Sequence, residues 1–168
     1  TVNPTPGANT GTANVCVAGT TTLSNASGPG TWTSSNTALA TVGSTTGIVT
    51  GVAMGVPTIT YSLNATGCFV TTAVTVNPNP ASISGSPIVC VGSTVTLSDA
   101  TTGGLWSSNN PGLGSIGAGT GILTGVSTGN PIISYTLPTG CFTTVTATVN
   151  PLPNAITGTT NVCIGFTT

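Results

Sequence analysis

"TVNPNPASISGSPIVCVGSTVTLS", residues 75–98, is one of three related copies of the same stretch in this chain. Residues 1–24 read TVNPTPGANTGTANVCVAGTTTLS, and residues 148–168 read TVNPLPNAITGTTNVCIGFTT. Self-similarity at a fixed period usually marks repeated structural units. The sequence therefore predicts tandem small domains rather than one larger fold.

Landmark residues give the length of the period. Trp32 and Trp106 lie 74 residues apart, and Cys68 and Cys141 lie 73 residues apart. The predicted domains are repeat 1 at 1–74, with 1–4 also the tail of a preceding unit's last strand, repeat 2 at 75–147, and the start of a truncated third repeat at 148–168. We expect the natural polypeptide to continue past this third copy.

Charge is almost absent. The 168 residues contain no Lys, Arg or His, and Asp99 is the single acidic side chain. General acid-base catalysis and nucleophile activation draw mainly on such groups, so we predict no catalytic residues and no enzyme. Nucleic acid is excluded as an electrostatic partner because neutralising phosphates requires Lys or Arg.

Metal, cofactor and membrane sites are also not expected. Calcium sites need several carboxylates, and zinc sites need closely spaced Cys or His clusters. The sequence has neither pattern, so we predict no metal and no cofactor. Apolar runs are interrupted by Thr, Gly or Pro within a few residues, which predicts no membrane insertion.

The secondary structure predicted for each repeat is β-strand. The segments PTITYSL (57–63), FVTTAVTV (69–76) and STVTLS (93–98) alternate apolar and hydroxyl side chains with a period of two. Gly and Pro separate such segments at short intervals, which favours a sandwich. We predict all-β, tandem immunoglobulin-like β-sandwiches of about seven strands per repeat, joined by semi-rigid Pro-x-Pro connectors.

Core positions follow from the same alternation. The predicted core residues are Leu23, Trp32, Val42, Ile59 and Tyr61 in the first repeat, and Leu97, Trp106, Ile116, Ile133 and Tyr135 in the second.

Two long segments resemble a known family. GTWTSSNTALATVGSTTGIVTGVAMGVPTITYSL (30–63) and GLWSSNNPGLGSIGAGTGILTGVSTGNPIISYTL (104–137) resemble bacterial immunoglobulin-like domains of the group 2 type. The resemblance implies secreted or surface-exposed sandwiches in tandem, as in giant repetitive adhesins and fibre proteins of Bacteroidota-type bacteria. The lack of charge departs from the family and argues against charge-based receptor binding.

Five cysteines fit an oxidising compartment. With one left unpaired they allow fifteen arrangements, and the repeat favours pairing within each repeat. We therefore predict the disulfides Cys16–Cys68 and Cys90–Cys141, with Cys163 unpaired within this sequence. Reactive or metal-binding thiols are the alternative, but no basic residue is present to lower a thiol pKa.

Three other residues have two interpretations each. Trp32 and Trp106 could stack on sugars, but their fixed place in each repeat favours core anchors. Asp99 could be a ligand, but its place beside the ATTGG turn favours a turn residue.

The predicted function is a structural repeat of a secreted, multidomain extracellular filament. Its expected partners are copies of itself, in head-to-tail or lateral contacts, because no charged residue guards the strand edges. A passive adhesin stalk at the cell surface is the alternative. A module that binds surface glycans or ice through Thr-rich faces is the third hypothesis.

Overall fold

The computed structural model describes residues 2–155, 157–158 and 164. Regular secondary structure in this part of the chain consists of strands, and no helix occurs there. Thr and Val are β-branched and fit a pleated surface, which explains why these segments form strands. The all-β immunoglobulin-like fold class is confirmed.

The first repeat forms nine strands. They are β1 (Thr10–Gly11), β2 (Asn14–Cys16), β3 (Thr20–Ser24), β4 (Gly30–Ser34), β5 (Ala40–Val42), β6 (Ile48–Gly51), β7 (Thr58–Leu63), β8 (Phe69–Ala73) and β9 (Thr75–Asn77). Two sheets have the orders β1-β3-β6-β5 and β4-β7-β8, and β2 pairs with β9 in parallel. This is the ABED and CFG arrangement of a constant-type immunoglobulin sandwich.

The predicted count of seven strands differs from nine because the first and last strands are each broken. The first strand becomes β1, which pairs with β3, and β2, which pairs with β9. The last strand becomes β8, which pairs with β7, and β9, which pairs with β2. Each broken strand thus contributes to two sheets.

The second repeat forms eight strands. They are β10 (Ile88–Cys90), β11 (Thr94–Thr96), β12 (Leu105–Ser108), β13 (Gly114–Ile116), β14 (Ile122–Gly125), β15 (Ile132–Thr136), β16 (Phe142–Thr146) and β17 (Thr148–Asn150). The sheet orders are β11-β14-β13, β12-β15-β16 and the parallel pair β10-β17. An isolated bridge between Ser84 and Ser98 stands where the first repeat has β1.

The buried core of the first repeat includes most of the predicted residues. It consists of Val15, Leu23, Trp32, Ala40, Val49, Ile59, Tyr61, Val74 and Val76. Val42 is partly buried and packs against this cluster. In the second repeat, Leu97, Trp106, Ile133 and Tyr135 are buried, while Ile116 is half-buried.

The chain consists of two compact units. The first is Thr1–Ile83, Asp99–Leu105 and Ser134–Thr144, and the second is Ser84–Ser98, Trp106–Ile133 and Val145–Thr168. The first sandwich also extends past the predicted boundary at residue 74, because β9 pairs with β2 and Val76 lies in its core. The residue at which a repeated sequence is divided into units is an arbitrary choice, whereas strand pairing fixes where a sandwich ends.

The Pro-x-Pro segment after β9 is held on both sides. Pro80 is buried, as is Pro6 at the corresponding place in the first copy. Asn79 Nδ2 donates a hydrogen bond to the Val17 carbonyl at 3.0 Å, and the backbone N–H of Ala81 donates to Thr101 Oγ1 at 2.9 Å. These contacts restrict the connector between β9 and β10.

Candidate functional site

A disulfide joins a cysteine of the first repeat to one of the second. Cys16 and Cys141 are bonded, with their Cα atoms 5.6 Å apart and a sequence separation of 125 residues. Cys68 and Cys90 are free thiols, both half-buried. The predicted pairs Cys16–Cys68 and Cys90–Cys141 are therefore wrong. Cys163, predicted to be unpaired, lies outside the described residues.

The strand register explains why the pairing within the first repeat fails. Cys16 ends β2, and its partner in the parallel strand β9 is Asn77. Cys68 directly precedes β8, so it lies nine residues before Asn77 along β8 and β9. Strands rise about 3.3 Å per residue, which puts roughly 30 Å of chain between these positions. A disulfide requires Cα atoms within about 7 Å.

The backbone around Cys16 forms a tight turn. The N–H of Val17 donates to the Asn77 carbonyl at 3.0 Å, and the N–H of Gly19 donates to the Cys16 carbonyl at 2.9 Å. Ala18, between them, has φ of 63°, a left-handed conformation that is uncommon for a residue with a Cβ. The turn ends β2 and holds Cys16 in a fixed place.

The second cysteine of the bond lies against the end of β9. Cys141 is fully buried, and its Sγ lies 4.0 Å from the Asn77 carbonyl oxygen. A cavity of about 220 Å³ adjoins the bond and is lined by Cys16, Val17, Ala18, Gly19, Asn79 and Phe142. No charged side chain lines it, so the disulfide and packing hold this part of the first compact unit.

Two edge strands lack the usual protection against pairing with other chains. The order β4-β7-β8 places β8 at a sheet edge, and the order β12-β15-β16 does the same for β16. Their sequences, FVTTA and FTTVT, contain no charge and no Pro. Edge strands of soluble proteins normally carry Lys, Pro, inward charges or bulges that block further pairing.

Exposed apolar side chains recur at the same positions of both repeats. The recurring pairs are Ile48 and Ile122, Val52 and Val126, and Phe69 and Phe142. Phe69 is 60% exposed and opens the edge strand β8. Scattered apolar residues on a surface are ordinary. The two repeats thus expose apolar side chains at equivalent positions.

The tryptophans are core residues, as predicted. Trp32 is 5% exposed and Trp106 is 8% exposed, which leaves no open ring face for a sugar. The Tyr61 hydroxyl donates to the Gly28 carbonyl, and the Tyr135 hydroxyl donates to the Thr101 carbonyl at 2.7 Å. Both tyrosines thus bury a ring and satisfy its polar end.

Asp99 is a turn residue, as predicted. Its Oδ1 accepts a hydrogen bond from the backbone N–H of Thr101 at 2.7 Å. Asn25, one period earlier, makes the same turn with the backbone N–H of Ser27 at 3.0 Å. Since Asn serves equally at this place, the carboxylate charge is not required for the turn.

Among the described residues, no three His, Cys, Asp or Glu side chains come together as a metal site. The described residues also form no helix that is both long enough and apolar enough to cross a membrane.

The sandwich topology defines the class as an immunoglobulin-like β-protein. Residues 1–68 match the family model of the bacterial Ig-like domain (group 2). The first repeat is therefore similar to this family, which confirms the predicted resemblance there. Folds of this class are generally structural and non-catalytic. A comparison with curated proteins found no match.

One solved structure supports the immunoglobulin-like fold. The C-terminal 282-residue fragment of intimin, in complex with the intimin-binding domain of the translocated intimin receptor, has a TM-score of 0.54 at 18% identity. The match covers 88% of this chain and 65% of that fragment, so the chain spans less than two thirds of it.

Two further structures match with lower scores. Domains 1–6 of the surface layer protein SbsC match with a TM-score of 0.35 and 21% identity, over 81% of this chain and 24% of that one. Drosophila N-cadherin EC1-4 matches with a TM-score of 0.39 and 8% identity, over 88% and 50%.

Proposed function

We propose that this chain is a structural segment of a secreted, multidomain extracellular filament and that it has no catalytic role. Copies of the chain would associate laterally through their edge strands, and tandem repeats would give the filament its length. The observation that carries this proposal is that β8 and β16 are sheet edges without charge or Pro.

The geometry of β8 suits strand addition. Phe69, Thr71 and Ala73 are exposed, while Val70 and Thr72 are half-buried. A strand added beside β8 would gain backbone hydrogen bonds along its length, and the exposed side chains would provide apolar and hydroxyl contacts. Such contacts suit a partner with the same alternating pattern, which a second copy of this chain offers through its own β8 or β16.

The lack of charge favours association. Net charge keeps small domains apart in solution, and this chain carries one acidic and no basic side chain. No side-chain ion pair can form between copies, so the contacts must be apolar and hydrogen-bonded. Salt screens charges, and a filament of this kind should therefore be as stable in molar salt as in low salt.

An extracellular location is part of the proposal. The Cys16–Cys141 bond is the kind of link that persists in an oxidising compartment and is rare in the cytosol. The group 2 bacterial Ig-like match of residues 1–68 supports a structural module in the same setting.

The test places one Lys on each proposed edge. The variant Thr71→Lys with Thr144→Lys puts charges at exposed positions of β8 and β16. The control Thr45→Lys with Thr128→Lys adds the same two charges at exposed positions outside the strands. Assembly is followed by electron microscopy and by sedimentation, in low salt and in molar salt.

We expect filaments from the native chain and the loop control, and monomers from the edge variant in low salt. Molar salt should partly restore the edge variant by screening the added charges. If the native chain is monomeric at high concentration, the filament proposal fails and the passive stalk is left. If the edge variant assembles like the control, lateral pairing does not use these edges.

One observation bears on the ice- or glycan-binding alternative. Thr33, Thr60 and Thr71 lie side by side across β4, β7 and β8, so threonines do align across one sheet. The neighbouring row of the same face ends at Phe69, opposite Ser62, which interrupts a regular threonine array. Thermal hysteresis of the native chain tests this alternative directly.

A further inference from the structure

We propose that the Cys16–Cys141 bond is one link of a repeating series. In this series, the first cysteine of each repeat bonds the second cysteine of the repeat that follows. Cys90 would then bond the second cysteine of a following repeat, and Cys68 would bond the first cysteine of a preceding repeat. The partners are further repeats of the same kind, and the inference does not depend on lateral assembly.

The backbone around Cys90 matches that around Cys16. Cys16 pairs with Asn77 in parallel strands, and Cys90 pairs with Asn150 in the same way. The following residue, Val91, donates its N–H to the Asn150 carbonyl at 3.0 Å, the same length as its counterpart in the first repeat.

The turn after each first cysteine is also the same. In the second repeat, the N–H of Gly92 donates to Gly125 at 2.8 Å, and the N–H of Ser93 donates to Cys90 at 3.0 Å. The corresponding distances in the first repeat are both 2.9 Å. Gly92 has φ of 79°, and Ala18 has φ of 63°. Cys90 is thus held as Cys16 is held, but without a partner.

The second cysteines correspond in the same manner. The N–H of Leu63 donates to the Cys68 carbonyl at 2.9 Å, and the N–H of Leu137 donates to the Cys141 carbonyl at 2.8 Å. Cys141 is fully buried beside its bonded partner, whereas Cys68 is half-buried. The extra exposure of Cys68 is what the absence of a bonded neighbour would produce.

The bond-forming step needs an oxidant. A small-molecule disulfide such as oxidised glutathione accepts two electrons from the two thiols. The thiolate of one cysteine attacks it to give a mixed disulfide and releases one small thiol. The second cysteine then attacks the mixed disulfide, which forms the protein bond and releases the other small thiol. Two protein protons are transferred to the two small thiols or to solvent.

The test supplies a following repeat in register. Residues 148–168 correspond to residues 1–21, so a fusion of residues 1–147 directly to a second copy of 1–168 continues the repeat without a gap. In this fusion Cys90 and the second copy's Cys68 are separated by 125 residues, as Cys16 and Cys141 are. The fusion is reduced, oxidised with oxidised glutathione, alkylated and digested with chymotrypsin, since trypsin has no site.

Three samples decide the outcome by mass spectrometry of linked peptides: the fusion, a variant with Cys68→Ala in the second copy, and a matched control with Cys68→Ala in the first copy. We expect a Cys90–Cys68 peptide in the fusion and in the control, and its loss in the second-copy variant. The Cys16–Cys141 peptide should persist in all three and reports folding.

Several results would overturn the inference. Peptides linking Cys16 with Cys68, or Cys90 with Cys141, would show pairing within repeats. A Cys90–Cys68 peptide that persists in the second-copy variant would show a bond to the first copy's Cys68, which the series does not allow. Alkylated Cys90 with no linked peptide, or no Cys16–Cys141 peptide, would also contradict the series.

Discussion

Tyr61 packs against Trp32 in the first core, with ring centroids 4.7 Å apart and planes inclined at 50°. The two residues face each other across β4 and β7, where Trp32 is the register partner of Tyr61. Tilted aromatic pairs of this kind add stability beyond the burial of their area. The pair therefore anchors the sheet that ends at the proposed edge strand β8.

Truncating Trp32 and removing only the Tyr61 hydroxyl should destabilise the first repeat by different amounts. Trp32→Ala should lower the free energy of unfolding by about 3–5 kcal/mol because it leaves a large cavity. Tyr61→Phe removes the hydrogen bond to Gly28 and should lower it by about 1 kcal/mol. Guanidinium unfolding followed by circular dichroism measures both. The exposed Thr45→Ala should change little, and a loss for it as large as for Trp32→Ala would contradict this account.

Two glycines separate backbone strain from steric clash. Gly47 and Gly67 have φ of 68° and 71°, so alanine is disfavoured at both. A Cβ on Gly47 would lie 2.2 Å from the Leu23 carbonyl oxygen and 3.1 Å from the Trp32 ring, whereas one on Gly67 would meet nothing within 4 Å.

We therefore expect Gly67→Ala to lower the free energy of unfolding by about 1 kcal/mol, and Gly47→Ala to lower it by clearly more. Denaturant titration of the two variants under the same conditions provides the comparison. Equal losses would mean that the packing of Gly47 against the core does not matter.

The disulfide should contribute to thermal stability. The variant Cys16→Ser with Cys141→Ser opens a covalent loop that spans 125 residues of sequence. In the chain-entropy model such a loop contributes about 5 kcal/mol. We expect a lower melting temperature by calorimetry, and the same decrease when the native chain is reduced. Cys68→Ser with Cys90→Ser is the control and should melt like the native chain, because neither thiol is bonded.

Stability should be insensitive to salt and to chelators. No side-chain ion pair is possible in a chain without Lys, Arg or His, so there is no attraction for salt to screen. The melting temperature should stay within a few degrees between low and 0.5 M sodium chloride, a salt close to neutral in its effect on apolar burial. Adding EDTA should leave it unchanged, and a clear drop would reveal a ligand set.

The alternation of side chains predicted most of the fold. Leu23, Trp32, Ile59 and Tyr61 are buried as predicted, because successive side chains of a strand point to opposite faces whatever the strand pairs with. Val42 is only partly buried because β5 lies at the edge of its sheet. Strand order is a long-range property, and the local pattern does not contain it.

Where apolar residues are consecutive, the sequence does not show which of them is buried, because strand pairing is a long-range property. Ile48 and Val49 are adjacent, apolar and β-branched. The sequence pattern therefore does not show which of the two side chains faces the core. In the structure Ile48 is exposed and Val49 is fully buried. The pairing of Val49 with Thr21 and Val42 fixes which of the two faces the core. A shift of one residue in the strand register moves every side chain to the opposite face of the sheet, so the period of two alone does not fix the register.

The sequence by itself determined the repeat, the β-class and the absence of charge chemistry, because these depend on composition and local periodicity. Only the tertiary structure decided the cysteine pairing. Sequence repetition shows that Cys16 and Cys90 are equivalent, but it does not show where their strands end. The parallel pairing of β2 with β9 places Cys16 beside Asn77, away from Cys68 and next to Cys141. A disulfide forms between atoms that meet in space, and that meeting depends on strand direction and register.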